Sequence, residues 1–229
     1  MEGLIINGYE ITEYIGKGQF GTVYVCRKDS KNYAMKIFNL DYVASEYGIH
    51  GENNRIKNEI EALKRVKHKN TINYVDDGTF TNNNQTYIYV IMEQAKGIEL
   101  KKYINQNDLQ FEDVIEIANQ ILDALDCIHQ NNIIHRDLKP QNIFIDEKKN
   151  VKVLDYGLSK IIDFTSITST GDMIGSPIYM SPEQIKDSKH IDYRSDYYSL
   201  GVILFELLSH QFPYSAGNRD ELFYKIINI

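Results

Sequence analysis

"HRDLKPQN", residues 135–142, packs an imidazole, a guanidinium, a carboxylate, an ammonium, a proline and an amide into eight positions. Core strands need apolar residues at alternate positions, and a helix does not tolerate proline in its interior, so neither element suits this run. It reads as a polar loop kept for its chemistry. If residues were drawn evenly, five fixed positions among eight would recur by chance in about one chain in 10⁴. A second polar group, "DYG" (Asp155, Tyr156, Gly157), follows thirteen positions after Asn142.

Upstream of the loop, "FEDVIEIANQILDALDCIHQNN" (111–132) sets Val114, Ile117, Ile121, Leu125 and Ile128 on one helical face and ends in two Asn, a stop signal. Downstream, 183–186 and 193–209 carry two more helical patterns. The first third reads differently. "YEITEYIG" (9–16), "GTVYVCR" (21–27) and "NYAMKIF" (32–38) are short, β-branched or aromatic and partly alternating, with "KDSKN" as a hairpin turn. Ile56, Ile60, Leu63 and Val66 then recur at helical spacing. "TINYV" and "YIYVIMEQ" (87–94) return to strand, with "DDGTFTNNNQ" read as a turn between them. The character changes near residue 95. A β-rich part followed by a helical part is an α+β organisation.

Composition narrows the function classes. The chain has 229 residues, 42% of them hydrophobic, with 25 Lys+Arg against 32 Asp+Glu and a net charge of −7. An acidic balance argues against nucleic acid or anionic membrane as the partner. Cys26 and Cys127 are the two cysteines, and neither sits in a zinc-ligand pattern. Free thiols, the absence of a secretory leader pattern and an apolar maximum of only "LGVILFELL" (200–208) give the expectation of a cytoplasmic protein with no membrane segment.

Two further groups carry chemistry. "GKGQFG" places Gly16, Gly18 and Gly21 between two strands. A chance GxGxxG occurs in about one such chain in 20, so its context matters more than its pattern. A dinucleotide fold needs strand and then helix. A strand–glycine loop–strand hairpin can instead close over phosphates with backbone N–H groups. Lys36, inside the apolar strand "YAMKIF", is costly to bury without an anion or carboxylate. Glu59, on the border of the Ile56/Ile60 stripe, can supply the carboxylate.

In order and spacing these pieces resemble the eukaryotic-type (Hanks-type) serine/threonine protein kinases, from about Tyr9 to Ile229. The resemblance implies a bilobal α+β fold: a β-rich N-lobe at about 9–94 with one regulatory helix, a hinge at about 93–97 and a helical C-lobe at about 98–229. It implies transfer of phosphoryl from Mg²⁺–ATP to Ser/Thr hydroxyls of protein substrates, with autophosphorylation. Asp137 resembles the catalytic base, Lys139 the cation at the γ-phosphate, and Asn142 and Asp155 the Mg²⁺ ligands. Lys36 would hold the α/β-phosphates and pair with Glu59. Ile15, Gly16, Gly18, Gly21, Val23, Ala34, Met92, Phe144 and the hinge residues Glu93 and Ala95 would bind nucleotide, and Glu99 would reach the ribose or a basic substrate residue. "GSPIYMSPE" (175–183) is similar to a peptide-docking loop, with Ser176 in the usual place of Thr. His135 and Tyr156 look structural, and Asp196 resembles a buried anchor of the catalytic loop. A nucleotide-holding module without turnover is the alternative. Lys36, Asp137, Asn142 and Asp155, all present, favour the enzyme.

The chain also departs from the family. Tyr156 and Tyr198 stand where Phe and Trp are common. Further C-terminal helices are expected to be missing after "DELFYKIINI", leaving Glu183 without the arginine that usually meets it. For regulation, family alignment brings Arg136, Arg55 and Lys160 together as an anion site. Thr170, then Ser169, are the expected phosphosites, and Asp172 a fixed partial mimic.

Overall fold

The computed structural model describes residues 1–17, 21–40, 52–156, 177–187 and 190–229, and leaves the side chains of 52–55, 58 and 59 undescribed. The chain forms two compact units. The first comprises Met1–Lys67 and Ile72–Ala95, the second His68–Thr71 and Lys96–Ile229.

The first unit is an antiparallel sheet with one helix among its described residues. The strands are β1 (Ile5–Ile6), β2 (Tyr9–Lys17), β3 (Thr22–Lys28), β4 (Lys31–Asn39), β5 (Tyr74–Asn82) and β6 (Gln85–Glu93), in the order β1-β2-β3-β4-β6-β5. The turn between β3 and β4 uses Asp29 and Ser30 at φ 50° and 62°, inside the "KDSKN" run. Two-residue hairpin turns need positive φ, which Asp accepts at low strain. The expected ten-residue turn at "DDGTFTNNNQ" is corrected. Residues 74–82 form a strand paired with β6, broken only by a bulge between Tyr74 and Asp76, and the turn is only Asn83 and Asn84, at φ 49° and 60°. The polar composition misled because this strand lies at the sheet edge, where half-exposed Asp and Thr are tolerated. "TINYV" is also corrected, since Thr71 bridges to Val153 in the second unit and β5 starts at Tyr74.

Alternation along these strands sorts the residues. Ile11, Cys26, Met35, Ile37, Tyr89 and Ile91 form a buried cluster with Ile6, Tyr9 and Tyr87. The cross-strand rows Val25–Ala34–Met92 and Val23–Lys36–Val90 fall on the opposite face. Helix α1 (Glu52–Arg65) buries Ile56, Ile60 and Leu63, as its spacing predicts, and packs against β5.

The second unit joins a small sheet to helices. Its strands are β7 (Ile98–Glu99), β8 (Ile143–Ile145) and β9 (Val151–Val153), in that order. Its helices are α2 (Leu100–Gln106), α3 (Phe111–Gln130), α4 (Pro182–Lys186), α5 (Arg194–Ser209) and α6 (Arg219–Asn228). Helix α3 opens with a Gln110/Asp113 capping box and buries the five residues named from its periodicity. The strands β7–β9 escape sequence reading because two or three residues carry no period, and α2 and α6 because each buries only two residues, too few to show one.

Gly97 is fixed by both backbone and space. Its φ is +89°, and an added Cβ would lie 2.0 Å from the Ile145 carbonyl oxygen. Gly97→Ala is therefore expected to destabilise the protein by at least about 2 kcal/mol, read as a lowered midpoint in urea unfolding.

Candidate active site

The polar loop lies in the second unit, between α3 and β8. Residues 135–139 take no regular structure and Pro140–Asn142 form one 3₁₀ turn. What fixes such a loop is a buried carboxylate. Asp196, in the first turn of α5 and 1% exposed, accepts the backbone N–H of His135 at 2.8 Å on Oδ2 and that of Arg136 at 2.8 Å on Oδ1. His129 Nε2 donates to Oδ2 at 2.7 Å. A carboxylate at a helix N-terminus is further favoured by the helix dipole. The clamp holds Arg136 at φ 67°, a strained value for a long side chain. Gln184 adds a bond from below, its Nε2 donating to the Arg136 carbonyl at 2.7 Å. Asp196→Ala would leave three donors unsatisfied in the interior. The expected loss is about 3–5 kcal/mol of stability, and a melting curve within 2 °C of wild type, a shift of roughly under 1 kcal/mol, would contradict the clamp.

Asp137 emerges from this clamp partly exposed, its side chain 38% accessible. Its Oδ2 accepts Lys139 Nζ at 2.7 Å and Asn142 Nδ2 at 3.1 Å. Asn142 Nδ2 also reaches the Asp137 carbonyl at 2.8 Å. With its amide nitrogen committed, Asn142 presents Oδ1 at the other end of the amide group. Leu154 is gripped twice: its N–H donates to the Asn142 carbonyl at 2.8 Å and its carbonyl accepts His135 Nε2 at 2.9 Å. The next residue, Asp155, sits at φ 57°. Backbone outliers of this kind, at Arg136 and Asp155, collect where surrounding structure holds a functional geometry. One amide oxygen and one carboxylate, both hard donors, fit Mg²⁺, which takes few protein ligands and completes its shell with phosphate and water.

His135 and Tyr156 are fully buried. Phe144 lies opposite Glu99 and Lys152 in the small sheet, with Ile143 and Ile145 turned into the core. Glu99 bonds Lys102 at 3.1 Å. Within the described part of the 175–183 run, Tyr179 is buried and donates to Glu206 Oε2 at 2.6 Å, and Lys101 pairs with Oε1 of the same carboxylate. Burial, then the Glu206 carboxylate, pushes the Tyr179 phenol well above its usual range. Glu206 and Gln184 were not legible as site supports, because nothing in their local pattern distinguishes them. Glu183 is half-buried and its carboxylate accepts Ser195 Oγ at 2.8 Å, so it has a partner inside this chain.

In the first unit, Lys36 is 8% exposed and its Nζ stands 5.9 Å from the Phe38 ring centre. It shares a sheet face with Val23, Ala34 and Met92. The Glu93 N–H is committed to the Asn73 carbonyl at 2.9 Å. Ile15 is exposed and Ala95 half-exposed. Gly21 has a packing reason of its own, since a Cβ there would lie 2.7 Å from the Ile37 carbonyl oxygen; around Gly16 the space is open. Gly18, Gly157, Lys160, Ser169, Thr170, Asp172 and Ser176 lie outside the described residues, as do the side chains of Arg55 and Glu59. No group of three or more His, Cys, Asp or Glu placed for a metal, and no helix long and apolar enough to cross a membrane, occurs among the described residues.

The family description "Protein kinase domain" matches residues 9–229. A serine/threonine-protein kinase of Clostridium perfringens, named as probable, is 37% identical over 93% of this chain and 30% of its own length. "Probable serine/threonine-protein kinase PknB" of Lactococcus lactis is 38% identical over 92% of this chain and 33% of its own. "Serine/threonine-protein kinase Nek2" of Mus musculus is 33% identical over 96% and 51%. The chain thus spans about a third of the length of the first two relatives. A β-rich unit, a helical unit and the loop clamped by Asp196 agree with that match over nearly the whole sequence: the chain belongs to the protein kinase domain family.

Proposed function

We propose that this chain is the catalytic domain of a serine/threonine protein kinase, moving the γ-phosphoryl group of Mg²⁺–ATP to Ser and Thr hydroxyls of protein substrates and of the chain itself. The observation that carries this reading is the setting of Asp137: a half-exposed carboxylate on a loop whose backbone is fixed by buried Asp196, with Lys139 and Asn142 on one of its oxygens. One carboxylate oxygen stays available to accept the proton of an incoming hydroxyl. Lys139 offsets charge on the transferring group. Asn142 and Asp155 would hold Mg²⁺, which when bound supplies positive charge to phosphate oxygens. Lys36 and its sheet face, Val23, Ala34 and Met92, supply a cation for phosphates and apolar surface for a purine, with Ile15, Gly16, Glu93, Ala95, Glu99 and Phe144 as the remaining nucleotide residues. Glu59 would orient Lys36. The names of the relatives support Ser/Thr as acceptors and the acidic balance supports protein over nucleic acid as the substrate. Cytoplasmic location is part of the same reading. Phosphorylation of Thr170 or Ser169, read by Arg136, Arg55 and Lys160, would regulate it. Burial draws the Arg136 guanidinium below its usual range, with Asp196 opposing, a setting in which an added anion would be welcome. A peptide array carrying Ser, Thr and Tyr acceptors, incubated with the chain and Mg²⁺–ATP, tests the assignment. Phosphate on Ser and Thr spots is the expected result, and Tyr-only labelling would overturn it.

A further inference from the structure

The end of α1 is tied to the sheet by a polar cluster that the roles above do not use. Lys64 Nζ lies 2.8 Å from Asp77 Oδ1 on β5 and 2.7 Å from Glu61 Oε1 on its own helix. The Tyr74 hydroxyl donates to the same Asp77 oxygen, and the Lys64 ammonium stands 5.3 Å from the Tyr74 ring centre.

This cluster exists because of a β-bulge. Tyr74 and Asp77 are three residues apart, a spacing that puts side chains on opposite faces of a regular strand. The register shifts between Tyr74 and Asp76, so Tyr74 faces Met92 and Asp77 faces Val90. Met92 and Val90 are two apart on β6, so both partners come to one face. That is the face of Lys36, which is also opposite Val90. Bulges re-aim side chains in this way next to functional sites.

The groups respond to one another as a unit. Burial raises the Asp77 carboxyl, but the bonds from Lys64 and Tyr74 outweigh it and leave the carboxyl below its usual range. Burial and Asp77 together raise the Tyr74 phenol. Among the described residues the helix also buries Ile56, Ile60 and Leu63. Apolar burial is non-directional, whereas the three-way polar tie gives this end of the helix a defined place on β5.

We propose that Lys64, Asp77 and Tyr74 are positioning residues, a pivot that sets where α1 carries Glu59 along the sheet face that holds Lys36. The dimensions suit this. Glu59 is five residues from Lys64, about 7.5 Å of helix, and Asp77 is two strands from Lys36, about 9.6 Å of sheet. The inference rests on the kinase reading, and a mutant cycle separates the two. Asp77→Asn and Lys64→Met are each expected to lower kcat for peptide phosphorylation about tenfold, with KM for ATP within about twofold. In a Glu59→Gln background the same changes should lower kcat by less than about twofold, because the pivot acts through Glu59. Lys64→Arg, which keeps the charge, should stay within about threefold of wild type. Full additivity with Glu59→Gln, or wild-type kcat in Asp77→Asn, overturns the pivot and leaves the kinase reading standing. A wild-type chain that transfers no phosphate removes the kinase reading and the pivot together.

Discussion

Asp137→Asn is expected to lower kcat by about 10²–10⁴-fold, the range by which a positioned general base contributes. The substitution is nearly isosteric. Its remaining side-chain oxygen can still accept from Lys139 and Asn142, so the loop geometry should survive. Asp196, not Asp137, holds the backbone of His135 and Arg136. The thermal midpoint should therefore stay within about 2 °C of wild type, roughly a 1 kcal/mol window. KM for ATP should change little, because a group used only in the transition state affects kcat and not ground-state binding. Steady-state kinetics beside a melting curve check both statements. A variant within a few-fold of wild type would remove Asp137 from the reaction.

Lys36→Met carries the second large effect. Lys36 is 8% exposed on a sheet face otherwise built from Val23, Ala34, Val90 and Met92. Methionine fills comparable volume there, so the fold should not suffer. On the proposed reading, what disappears is the cation that would meet the phosphates. Removing one such electrostatic group is expected to lower turnover by roughly 10²-fold or more. Retained activity within a few-fold would show that Lys36 is a structural lysine. Retained activity with raised KM alone would show uniform binding of the nucleotide and no part in the transition state.

The fold was legible where residues repeat at a period. Helix α3 shows five buried residues at helical spacing, and β2 to β4 stand out as short β-branched and aromatic runs, alternating only in part. The edge strand β5 was not legible, because Asp76, Asp77, Thr79 and Thr81 read as turn chemistry and only pairing with β6 makes them a strand. The polar loop announced itself by composition, since Asp137, Lys139, Asn142 and Asp155 are polar where a core segment could not be. Its supports did not. Gln184 and Glu206 sit far away in sequence: Gln184 donates to the Arg136 carbonyl, and Glu206 takes the Tyr179 hydroxyl and the Lys101 ammonium. The Gly-rich run was legible as a motif but not in its reasons: Gly21 is required by the nearby Ile37 carbonyl, a constraint that only the neighbouring strand reveals.

One measurement bears most directly on the central claim. The purified chain is incubated with Mg²⁺ and ATP labelled at the γ-phosphate, and nucleotide binding and label transfer to a Ser/Thr peptide are followed in the same sample. The account predicts both: saturable binding, and label recovered on serine or threonine. A chain that binds ATP to saturation and transfers no label to peptide or to itself would be a nucleotide-holding module, and would contradict the assignment of Asp137 as a catalytic base.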